Sequence, residues 1–183
     1  MAIFTQKELI NQSIPQDLQL VLKNFKCCEN LLEEMEFRFF NENEIPNLIS
    51  HSYLNDGDKQ DKATMANVYA IDDVFKYISF IGEAIDGNLV GYWHGQKNKE
   101  IEKSPIIMYT TEGVFKILLG KNLIEALIGD YIFDDNDKFL DFQKSFLNCG
   151  INIVSKWDDL VEIKVVTDPE ELHQKFYNSY INL

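Results

Sequence analysis

Arginine is nearly missing from this chain. Arg38 is the single one among 17 basic residues, which face 30 acids and leave a net charge of −13. The planar guanidinium fork is the favoured reader of phosphates and base edges. A field of this sign also repels polyanions. Direct binding to nucleic acid is therefore not expected. Cysteine is also scarce. Cys27, Cys28 and Cys149 form an odd set with one adjacent pair and no C-x-x-C. That is a poor disulfide framework, and it predicts free thiols without a redox or metal role. No apolar run approaches the ~20 residues that span a bilayer. The opening "MAIFTQKELINQ" lacks the charged start and apolar stretch of a signal peptide. These absences predict a cytoplasmic protein with no membrane partner. No low-complexity linker and no internal repeat divides the chain.

What is present suits one folded domain over residues 1–183, with 45% apolar and 13% aromatic residues for a sizeable core. Thr5-x-x-Glu8 and Ser13-x-x-Gln16 fit capping boxes, and Leu18, Val21, Leu22 and Phe25 then recur at helical spacing. In "EEMEFRFF" the period changes to two, which predicts a half-buried strand. Asn41-x-x-Glu44 opens a short helix through "EIPNLISHSYL". Residues 55–68 are polar with little apolar periodicity and read as a long surface loop. Asp56 and Asp58 begin like a calcium loop, but the glycine and glutamate that an EF-hand needs are missing.

Four apolar runs follow, at 75–82, 88–94, 105–110 and 114–119, separated by turn residues. They predict a mostly antiparallel sheet. "KNLIEALIGDYIF" and "DKFLDFQKSFLNCG" return to helical spacing, with Phe139, Phe142 and Phe146 on one face. "INIVSKWDDLVEIKVV" reads as a hairpin turning near Asp158-Asp159, and Thr167-Asp168-Pro169 starts a last helix. The fold class expected is α+β, a central mostly antiparallel sheet flanked by helices. Residues 131–183 are a helical and hairpin extension of that domain.

The chemistry turns on "IGEAIDGNLVGYWHG", which holds four of the nine glycines. A P-loop would need Lys after Gly87, where Asn88 stands. The G-x-G-x-x-G spacing of a dinucleotide site is missing too. Asp86-Gly87 between apolar runs is instead a hairpin signal. His94 would need an orienting carboxylate and a nucleophile to act as a base. The chain has no H-E-x-x-H and no G-x-S-x-G. The aspartates at 130, 134, 135, 137 and 141 fit no metal template and read as a solvated loop, an acidic protein-binding edge or a metal site. No catalytic residue, cofactor or metal ligand is assigned.

The order of "IPQDLQLVLKNF", "EFRFFNENEI", "YISFIGEAIDGNLVGYW" and "PIIMYTTEGVFKILLGKNLIEALI" resembles the SUKH superfamily over roughly residues 5–130. The resemblance implies a non-catalytic α+β domain. Bacterial members are similar to immunity proteins that bind and neutralise a cognate toxin, often a nuclease or deaminase. Fungal members look like regulators of cell-wall assembly. The acidic charge agrees with a basic toxin as partner. A regulatory or scaffold module without a toxin is the alternative, and a small enzyme with an unrecognised site also stays open. A monomer is expected. Candidate anchors for a partner are the exposed members of Tyr92, Trp93, Tyr131 and Phe133, since tight binding needs aromatic anchors. Asp86, Asp134, Asp135 and Asp137 are the candidate rim.

Overall fold

The structure is a computed structural model and describes residues 2–10, 14–97 and 104–183. Its centre is the meander that the apolar runs predict. Strands β3 (Ile78–Glu83), β4 (Leu89–Trp93), β5 (Ile106–Tyr109) and β6 (Phe115–Ile117) pair antiparallel in chain order. The free edge of β3 is shared end to end by two short strands. β1 (Ala2–Ile3) pairs with it parallel at Ser79 and Phe80, and β2 (Arg38–Phe39) antiparallel at Gly82 and Glu83. Gly82 is required there, because a Cβ would lie 2.3 Å from the Arg38 carbonyl oxygen. The expected turn at Asp86-Gly87 forms with φ of 59° and 79°, a conformation that Gly accepts at no steric cost.

Both faces of the sheet are covered, so its strands are continuously apolar rather than alternating. One face presents Ile81, Val90, Tyr92, Ile106 and Met108. It packs on α2 (Gln16–Lys23), α3 (Phe25–Glu34), α6 (Leu123–Ile132) and α7 (Asn136–Asn148). The other presents Phe80, Leu89, Trp93, Ile107 and Tyr109 to α4 (Asn47–Ser50), α5 (Lys62–Phe75) and α8 (Pro169–Ile181). A short helix, α1 (Gln6–Leu9), follows β1 behind the expected Thr5–Glu8 capping box. The Ser13 box lies outside the described residues. Glu170 of α8 accepts the Phe115 amide, which closes the edge of β6.

Five expectations are corrected. Residues 55–68 are not one loop. Asp61 accepts the Thr64 amide at 2.7 Å and starts α5, whose buried face is built largely from Ala66, Ala70, Ile71 and Val74. Alanine carries little apolar signal but is the best helix former. "EEMEFRFF" forms a strand only at Arg38–Phe39, because its start belongs to α3. The expected burial alternation still holds from Met35 to Phe39. The helix expected from Asn41 starts only at Asn47, since Glu44 turns back to the Asn41 amide and to Arg38. "INIVSKWDDLVEIKVV" forms no hairpin, because its backbone groups bond elsewhere. The Val154 amide goes to Glu125, the Trp157 amide to Asn136, and the Val161 carbonyl to the Gly120 amide.

Cysteine is the fifth. Cys27 of α3 and Cys149 at the end of α7 are joined as a disulfide across 122 residues, while Cys28 is a buried thiol. The adjacent pair faces two ways, one cysteine to the core and one to α7. The cytoplasmic expectation thereby loses its thiol argument, since lasting disulfides belong to oxidising compartments. Among the described residues no helix is long and apolar enough to cross a membrane.

Candidate functional site

The surface between α6 and α7 is built by an abrupt helix stop. Phe133 and Asp134 follow α6 with φ of 44° and 57°. A bulky residue is an outlier in that region and persists only where its surroundings enforce it. Here the enforcement is visible. Asp135 accepts the Lys138 amide at 3.0 Å and starts α7 at once. The Trp157 indole donates to the Gly129 carbonyl at 3.0 Å, a group close enough to the end of α6 to need an outside partner. Asn136 then laces the two loops together. Its carbonyl accepts the Trp157 amide and its amide donates to Asp158, both at 2.8 Å.

This geometry turns Phe133 outward. The residue is 71% exposed, and its ring lies 6.0 Å from Trp157 at a tilt of 59°. Exposed Asp134, Asp135, Asp158 and Asp159 belong to the same two loops, and exposed Asp137 to the first turn of α7. Their five carboxylates face two lysines, Lys138 and Lys156. The Lys138 ammonium is engaged, 4.5 Å above the Tyr131 ring. The patch therefore offers an aromatic pair to pack and an acidic rim to attract cations. Exposed ion pairs are each worth only ~0–1 kcal/mol, so the rim steers and the rings anchor.

Of the residues singled out from sequence, Phe133, Asp134, Asp135 and Asp137 meet here. Tyr131 is half-buried against Phe142 and lies under Lys138. Asp86 lies apart, at the β3–β4 turn, where it lines a cleft with Ile71 of α5. Tyr92 and Trp93 are corrected as partner anchors. They are 1% and 2% exposed, because helices cover both sides of the strand that carries them. Among the described residues the Tyr92 hydroxyl has no hydrogen-bond partner, and burial holds it well above the usual tyrosine range. The Trp93 indole donates to Thr167 at 3.1 Å. Trp157 and Asn136 went unsuspected. The available signal was the triplet Trp157-Asp158-Asp159, an aromatic residue beside two acids that a hairpin turn does not need.

His94 sits between two hydroxyls, Ser79 at 2.6 Å and Ser104 at 3.2 Å. Ser79 is 5% exposed, and the ≈160 Å³ cavity beside the imidazole is lined by His94 but not by Ser79. Among the described residues no three His, Cys, Asp or Glu side chains gather as a metal site would require. No family model, no curated protein and no solved structure matches the chain. The resemblance to the SUKH superfamily rests on the sequence motifs alone.

Proposed function

We propose that this protein is an immunity-type inhibitor, which binds a basic, nuclease- or deaminase-like bacterial toxin and neutralises it without catalysis. The supporting observation is Phe133 held out against Trp157 within a rim of five aspartates. A toxin that handles nucleic acid carries a basic cleft. An acidic surface with an aromatic centre can occupy such a cleft, with charge speeding encounter and the rings slowing release.

The test is co-expression with the toxin encoded beside its gene. Growth rescue and co-purification are expected. Phe133→Ala should weaken the complex about 30-fold, a central anchor being worth ~2 kcal/mol or more. Unfolding should be unchanged, because the side chain is exposed. Asp134→Asn with Asp135→Asn and Asp137→Asn should slow association about tenfold and leave dissociation nearly alone. Failure of both rescue and co-purification overturns the reading in favour of a regulatory module. A cytoplasmic inhibitor would meet a reducing pool that keeps Cys27 and Cys149 as thiols. Thiol trapping in intact cells therefore decides the compartment in which the disulfide form acts.

A further inference from the structure

A second site lies on the face of the sheet that α4 and α5 cover. Two hairpin turns, β3–β4 and β5–β6, meet at one end of the sheet, where Asn88 accepts the Thr111 amide at 2.9 Å and ties them. Between these turns and the two helices opens a cleft of ≈620 Å³. That is within the ~300–1,000 Å³ of small-molecule sites.

Its lining is one-sided in charge. Glu83, Asp86 and Glu112 contribute carboxylates, and among the described residues no lysine, arginine or histidine lines it. Glu83 is already paired with Arg38. Asp86 and Glu112 make no ion pair or side-chain hydrogen bond among the described residues. The walls are aromatic, from Tyr53 and Tyr109. Tyr53 is set in place by a chain of contacts. Its hydroxyl lies 3.3 Å from His51 Nδ1, and His51 Nε2 lies 2.9 Å from Asp72. Tyr109 is the independent sign of a ligand. It is 3% exposed and lines the cleft, yet its hydroxyl makes no hydrogen bond among the described residues. That hydroxyl opens on the cleft, where a ligand donor or acceptor can pair with it.

We propose that this cleft binds a small organic cation, an amine or guanidinium compound with an apolar body. The body lies between Tyr53 and Tyr109, and the charge points to Asp86 and Glu112. Tyrosine faces attract cations, the free carboxylates neutralise the charge, and a nitrogen donor satisfies the Tyr109 oxygen. An anion is excluded by the three carboxylates. The site stands apart from the Phe133 patch, so neither proposal depends on the other.

The experiment is calorimetric titration of the full chain with phenethylamine and agmatine, beside 2-phenylethanol and phenylacetate as neutral and anionic controls. Saturable one-site binding of an amine at about 1 mM or tighter is expected, without binding of either control. Asp86→Asn with Glu112→Gln should weaken it about tenfold. Both positions are exposed, and asparagine tolerates the left-handed backbone at 86, so the fold is retained. Tyr109→Phe should weaken it at least about threefold. The Asp134, Asp135 and Asp137 asparagine triple, in the other acidic cluster, should leave it unchanged. The proposal is overturned if neither amine gives saturable heat, if the alcohol binds equally, or if the distant triple reduces binding as much as the local pair.

Discussion

His173 shows how one side chain ties stability to pH. It packs against Phe115 with ring centroids 5.8 Å apart, and among the described residues its buried Nε2 has no hydrogen-bond partner. Burial lowers its pKa below the ordinary value, and Glu170, 4.0 Å from the other ring nitrogen, opposes that only in part. The unfolded chain therefore takes up this proton at a higher pH than the folded one. The folded state keeps its full stability above the unfolded value of ~6.5 and loses some as pH falls through it. Denaturant titrations at pH 7.5 and 5.5 test this. His173→Leu should shrink the loss of unfolding free energy between the two pH values. A variant with the wild-type pH dependence would show that the imidazole titrates alike in both states.

At the scale of elements, the disulfide makes α3 and α7 answer to each other. Both helices pack on the same face of the sheet. Closing a loop of 122 residues removes chain entropy from the unfolded state, worth up to about 5 kcal/mol in the loop-entropy account. A reducing agent should lower the thermal midpoint, and Cys27→Ser with Cys149→Ser should reproduce the effect. Reductant should then have no further effect on that double variant, since Cys28 has no partner to release. Identical unfolding with and without reductant in the wild type would mean the two sulfurs are not bonded. The element least visible in sequence, α5, has the opposite economy. Its helix rests on alanine propensity, the Asp61 cap and packing of α8 along it, with Tyr180 donating to Asp73 at 2.6 Å.

The whole molecule carries −13. That charge has two consequences of opposite sign. Within the fold it is self-repulsion, which salt screens, so raising NaCl from about 10 mM to 500 mM should raise the thermal midpoint by a few degrees. Toward a basic partner it is steering, so the same change should slow association by about tenfold or more. Differential scanning and stopped-flow binding measure the two separately. A midpoint that falls with salt would indicate that local pairs such as Arg38 with Glu44 outweigh the global field. In that pair the guanidinium holds the Glu44 carboxyl down to about 2.

Signals that close within a few residues were legible in the amino-acid order. Thr5, Asn122 and Asp168 cap their helices because each reaches an amide two or three positions ahead. The β3–β4 turn forms at Asp86-Gly87 because those residues accept positive φ, and the four central strands fall where the apolar runs lie. Phe133 and the neighbouring acids stood out for the same local reason, an aromatic residue beside charges. What lay beyond reach was every property that depends on what covers a residue. Tyr92 and Trp93 look like Phe133 in sequence, yet helices close over them and leave Phe133 in water. Nothing near Cys27 names Cys149, and nothing near Phe133 names Trp157, because those meetings follow from how the layers stack. Local chemistry decided where the chain turns and starts its helices. Packing across 20 to 120 residues decided which side chains remain at the surface, and so which of them can bind.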